Sequence, residues 1–190
     1  MKRIDQAKEE LKRLQGKSKL ESMLGVASIF TELTEEQQGI HPIVVGGLAV
    51  EIYTKEAYAT WDIDMVFSNY PLANELLLAL GFHKEGRHWY HEGLSVSVEI
   101  PGDQLEEADY NRVLKLNLSN GRHVYMIGVE DIILDRLRAC KHWKSTSDCE
   151  WGLRLFQTHR ERLDIPYLQQ QSKADLTEDI LQSWLSEPII

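Results

Sequence analysis

Two aspartates, Asp62 and Asp64, stand two residues apart in the run Thr60-Trp61-Asp62-Ile63-Asp64-Met65-Val66-Phe67. The apolar residues around them read as a β-strand, and side chains two apart on a strand project from the same face. Two carboxylates that close repel each other, and a cation between them relieves the repulsion. A divalent metal ion removes the conflict. Mg²⁺ is the expected ion, because it takes oxygen ligands and is commonly held by one or two carboxylates together with substrate phosphates. About 15 residues upstream, Ile43-Val44-Val45 runs into the pair Gly46-Gly47 and then into helically spaced Leu48–Tyr53. Glycine lets a backbone approach a phosphate closely, and the first N–H groups of a helix have no partner within it. A turn or a solvated strand end shows either feature alone. In this order, they point to metal-assisted handling of a phosphorylated ligand.

The elements that must position these residues follow from periodicity. Ile4, Ala7, Leu11 and Leu14 predict an amphipathic helix broken by Gly16 and Ser18, and a second helix spans about 20–37, stopped by Gly39. Short strands are expected at 42–45 and 63–67, with a helix at 72–80 closed by Gly81. Strands at 82–85, 87–91 and 94–100 are separated by turns at Gly86 and Gly93. A hairpin of 113–118 and 123–127 turns at Ser119-Asn120-Gly121, where the Asn-Gly pair is a strong turn signal. From Val129 onward the pattern is helical, with starts near Gly128, Ser147, Asp164 and Thr177. The expected fold is α+β: a mixed β-sheet core flanked by helices, with N-terminal helices and a helical C-terminal third. The expected division is 1–40 for the N-terminal helices, 41–128 for the core and 129–190 for the helical region.

The order of strand, Gly46-Gly47, helix and Asp62-Ile63-Asp64 strand resembles the signature of the nucleotidyltransferase superfamily. The resemblance implies that Gly46 and Gly47 hold the phosphates of an incoming NTP and that Asp62 and Asp64 bind Mg²⁺, with two ions an option. It also implies a third carboxylate on a later strand. Glu99, at the end of the alternating run Ser95-Val96-Ser97-Val98-Glu99, is taken for that role over Asp103, which lies past Pro101-Gly102. More loosely, 129–139 is similar to minimal nucleotidyltransferases that include abortive-infection (AbiEii-like) toxins. Arg136-Leu137-Arg138-Ala139 stands where those have a Lys-Leu-x-Ala core, and Lys144 to Asp148 departs from their second motif. Nucleotidyl transfer develops negative charge on the α-phosphate and on departing pyrophosphate, which cationic groups stabilise. Arg136 and Lys141, in the one segment where bases outnumber acids, are the candidates for that task, with Lys55 a further one.

Composition limits the alternatives. The chain has 190 residues and a formal net charge of −9, which argues against a duplex-coating or strongly basic RNA-binding protein. No stretch approaches 18 consecutive apolar residues, so no membrane association is expected and the compartment reads as cytoplasmic. His88 and His91 would share a helix face but fall on opposite faces of a strand, so they are not read as a metal-binding pair. Cys140 and Cys149 show no disulfide framework or metal-ligand spacing and read as small apolar residues. The expected function is Mg²⁺-dependent transfer of an NMP from an NTP to an RNA end, a protein or a small molecule. A catalytically inactive binding or regulatory module on the same scaffold is the alternative, and a helical interaction protein is a third reading that leaves Asp62 and Asp64 unexplained. Oligomeric state and any protein partner are not legible in the sequence.

Overall fold

A computed structural model describes residues 2–55 and 57–188. These form strands β1 (Ile43–Val44), β2 (Asp62–Val66), β3 (His83–Glu85), β4 (His88–His91), β5 (Val96–Glu99), β6 (Leu114–Asn117) and β7 (His123–Met126). The α-helices are α1 (Lys2–Lys12), α2 (Lys19–Gln38), α3 (Gly46–Tyr53), α4 (Tyr70–Ala79), α5 (Val129–His142), α6 (Thr146–His159), α7 (Ile165–Ala174) and α8 (Glu178–Ser186). The chain divides into two compact units, Met1–Ala49 with Ala59–Ile127, and Val50–Tyr58 with Gly128–Ile190. The α+β expectation holds. A mixed seven-stranded sheet in the order β3-β4-β5-β2-β1-β7-β6 forms the first unit, with β2–β5 and β1–β7 parallel and the other neighbours antiparallel.

Helix α2 is the core element beneath that sheet, packing on β2, β5 and β7. Its start is fixed by a capping box, in which the Ser18 hydroxyl accepts from the Glu21 N–H and the Glu21 carboxylate accepts from the Ser18 N–H. Its end is Gly39 in the left-handed conformation. Between these caps, burial extends around much of the helix, including Met23, Val26, Phe30 and Leu33 together with Ser28, Thr31 and Thr34. The three hydroxyls donate back to the carbonyls of Gly25, Ala27 and Phe30, so their burial leaves no polar group unsatisfied. Phe30 meets Phe67, just past β2, edge-on.

In β2, Ile63 and Met65 are fully buried, while Asp62 and Asp64 are half-buried. The alternation that predicts this strand therefore puts both carboxylates on the face away from the core. The Asn120-Gly121 hairpin forms as expected, with Gly121 at φ 82°. Beside its turn, Arg122 makes ion pairs with Glu10 of α1 and with Glu32 of α2, at 2.7 Å from the latter. One guanidinium thus ties the N-terminal helices to the sheet edge.

The second unit is helical, with α5 packed against α6, α7 and α8. Buried Glu130 and Asp131 open α5 where negative charge is favoured by the helix dipole. Glu130 accepts from the Asp164 N–H at 3.0 Å and Asp131 from the Tyr167 hydroxyl at 2.6 Å, joining the starts of α5 and α7. Gly152 of α6 permits close packing, since a Cβ there would lie 2.7 Å from the Trp184 ring. The reading of the cysteines as separate apolar residues is overturned. Cys140 and Cys149 form a disulfide across the α5–α6 turn, with Cα atoms 4.7 Å apart. A tight turn between the two helices brings positions nine apart in sequence face to face, and spacing along the chain does not show this.

The Arg122 contacts have a pH signature. Burial pushes the Glu32 carboxyl up, but the hydrogen bond and charge of Arg122, with Arg3, outweigh it and hold the group below its ordinary value. A depressed carboxyl stabilises the fold above its unfolded pKa of about 4.5 and loses that contribution as pH falls through the folded value. Arg122→Ala should therefore lower the unfolding free energy at pH 7 by about 1–2 kcal/mol. In urea melts, that deficit should shrink as the pH is taken below the Glu32 range.

Candidate active site

The parallel pairing of β2 with β5 sets Asp62 opposite Ser97, Ile63 opposite Val98 and Asp64 opposite Glu99. The antiparallel pairing of β4 with β5 sets His88 opposite Glu99. On the other side of β2, the Val45 N–H donates to the Asp64 carbonyl at 2.9 Å, just before Gly46 opens α3. One row across the sheet thus runs His88, Glu99, Asp64 and Val45, and ends at the glycine pair. Residues paired across neighbouring strands share a face. Three residues from separate stretches of sequence and the start of a helix therefore converge on one side of the sheet.

Gly46 is required here by both backbone and space. Its φ is +58°, which side chains disfavour, and a Cβ would lie 2.2 Å from Oδ2 of Asp64. The glycine thus sets the helix N-terminus directly against this carboxylate. Asp62 is oriented from below by Thr60, whose hydroxyl donates to Asp62 Oδ1 at 2.9 Å.

Glu99 is 7% exposed, and its carboxylate is met by two basic side chains. Arg87 Nε lies 3.0 Å from Glu99 Oε1, and His88 Nδ1 lies 3.6 Å from Oε2. Arg87, itself 78% exposed in its side chain, also donates from Nε to His88 Nε2 at 3.4 Å. Asp62, His88 and Glu99 each offer a ligand atom within 4.8 Å of the others. A buried carboxylate, two half-buried ones and an imidazole on one face form a donor set that suits a divalent cation.

Of the residues singled out in the sequence, Gly46, Asp62, Asp64 and Glu99 belong to this face of the first unit, with Gly47 following Gly46 in α3. Asp103 is exposed beyond the end of β5. Arg136 and Lys141 lie on α5 in the second unit, where carboxylates engage both. Arg136 pairs with Asp148 and Asp135, and Lys141 pairs with Asp179. His91 occupies the opposite side of β4 from His88, edge-on to Phe82, where burial pushes its imidazole pKa down. His88 and His91 thus do not share a face, as the strand reading expects, but that reading also passes over His88 by itself. A signal was present: folding 87–91 back on 94–100 about Gly93 brings His88 level with Glu99. Arg87 and Thr60 carry no comparable sequence signal.

Comparison with known proteins gives a family and a fold. The model of a family described as nucleotidyltransferase of unknown function (DUF6036) matches residues 21–185. No curated protein matches the chain. In fold, the chain is similar to the crystal structure of an antigenic nucleotidyltransferase-like protein from Paracoccidioides brasiliensis. The TM-score is 0.54 at 17% identity, over 95% of this chain and 94% of that one.

Gly46→Ala tests whether the glycine and Asp64 act together. Imposing a side chain at positive φ costs about 1–2 kcal/mol, measurable by urea unfolding. The Cβ must in addition displace Asp64, so divalent-metal affinity measured by calorimetry should fall even in protein that remains folded.

Proposed function

Because the chain belongs to the family of nucleotidyltransferases of unknown function DUF6036, we propose that it transfers a nucleotidyl group from an NTP to an acceptor nucleophile. The observation that carries this reading is the register pairing Asp64 with Glu99, with Gly46 held against the Asp64 side chain. Asp62, Asp64 and Glu99 are the residues that would hold Mg²⁺. When bound, the ion offsets negative charge on the triphosphate and polarises the phosphate undergoing attack. Gly46 and Gly47 present backbone N–H groups at the α3 N-terminus, which favours an anionic phosphate.

The reaction forms a bond between the acceptor oxygen and the α-phosphorus and breaks the bond from that phosphorus to the bridging oxygen of the β-phosphate. Pyrophosphate leaves with the bonding electron pair. The acceptor proton passes to a carboxylate or to solvent, and Glu99 is the carboxylate assigned to it when not fully engaged as a ligand. Asp62, steadied by Thr60, keeps its carboxylate oriented without needing to reorganise during the reaction. Arg136 and Lys141, the further candidates for phosphate charge, are ion-paired with Asp148 and Asp179. The acceptor is an RNA end, a protein side chain or a small molecule.

Arg87 favours a second reading. A guanidinium held on Glu99 suits a scaffold that binds nucleotide without turning it over. Both readings are tested by one pair of proteins. Wild type should be stabilised against heat by NTP with Mg²⁺ and not with EDTA, because a ligand of the native state alone raises the midpoint. Asp62→Asn should keep its fold by circular dichroism, lose that stabilisation and lose about 100-fold or more in pyrophosphate release. Full turnover by Asp62→Asn would contradict the assignment, and nucleotide binding without transfer to any acceptor class would support the inactive scaffold.

A further inference from the structure

Building on the proposed reading of Asp62 and Glu99 as metal ligands, we infer that His88 is a nitrogen ligand that makes this position selective for a first-row transition dication such as Mn²⁺ over Mg²⁺. The argument rests on donor chemistry and placement. Mg²⁺ is a hard ion that is held by oxygen and dehydrates reluctantly. An imidazole nitrogen adds affinity for transition dications that Mg²⁺ does not share. Asp62, His88 and Glu99 come from three different strands, β2, β4 and β5, and their ligand atoms lie within 4.8 Å of one another. His88 reaches this cluster because the β4–β5 register sets it directly opposite Glu99. The register is in turn fixed by fully buried Trp89 facing Val98 on the other side of the sheet. A slip of one residue would bring Trp89 out of the core and take His88 off the site face together.

The position carries its own competitor. Arg87 engages Glu99 Oε1 at 3.0 Å and His88 Nε2 at 3.4 Å, so a single exposed guanidinium touches two of the three donors. The positive charge of Arg87 opposes a dication at this position, and its side chain is exposed enough to move away.

The test uses the full chain, Mn²⁺ alone and Mg²⁺ alone, with affinities from calorimetry. His88→Gln should weaken Mn²⁺ binding about tenfold or more while changing Mg²⁺ binding little. Arg87→Gln should strengthen Mn²⁺ binding, because it removes the competing charge from both donors. Electron spin-echo modulation of the Mn²⁺-loaded protein should show imidazole nitrogen coupling in wild type and none in His88→Gln. Circular dichroism confirms that each variant is folded, and Arg87→Gln keeps the inference testable should His88→Gln fail to fold. Mn²⁺ binding that His88→Gln leaves intact, without nitrogen coupling in wild type, overturns the role of His88 while the carboxylate site stands. Absence of binding by either ion in wild type overturns the carboxylate site and this inference together.

Discussion

Carboxylates crowded onto one face of a sheet repel each other, and this cluster rests on the backbone register that forces them together. The β2–β5 ladder sets Asp64 beside Glu99 whatever their side chains prefer, and the β4–β5 ladder adds His88 to the row. Ile63, Met65, Trp89 and Val98, all buried, fix those ladders from the opposite face. Apolar packing on one side thus holds a charged arrangement on the other, a constraint that costs stability unless a cation answers it. Thr60 on Asp62 and Arg87 on Glu99 are the partial answers that the protein itself supplies.

The glycine pair belongs to the same constraint. Strand β1 lies between β2 and β7, so its end arrives beside Asp64 as the chain turns into α3. With no side chain at Gly46, the first turn of the helix and the carboxylate occupy adjoining space. Triphosphate and metal are chemically one ligand, and the fold offers a helix N-terminus and an acidic strand where both ends of that ligand could be met. In the helical unit, by contrast, the bases of α5 are ion-paired. Arg136, Arg138 and Lys141 each have a carboxylate partner on their own or neighbouring helices.

Period-two alternation along Asp62-Ile63-Asp64 reveals which residues share a face, and Gly46-Gly47 before a helical run reveals where a backbone can approach an anion. These local signals suffice for the α+β class, which the mixed sheet bears out, and for the nucleotidyltransferase superfamily, which the family match over residues 21–185 bears out. They do not give register. His88 is legible as a strand residue, but its meeting with Glu99 depends on how the hairpin around Gly93 closes. The 3₁₀ turn at Glu92–Leu94 and the left-handed Ser95 settle that closure. Cys140 and Cys149 fail to stand out for a similar reason. Their encounter depends on how tightly α5 turns into α6, through Lys144 at φ 57°, and a helical wheel carries no such information.

The central claim, that the carboxylates of β2 and β5 and the glycines of α3 hold one metal–triphosphate ligand, is tested most directly by the ¹H–¹⁵N spectrum of the protein titrated with Mg²⁺ and a non-hydrolysable NTP. The account predicts shifts centred on the amides of residues 45–48, 62–65 and 97–99, appearing only when metal and nucleotide are both present and reversed by EDTA. Shifts centred elsewhere, or shifts at these amides that persist in EDTA, would contradict it.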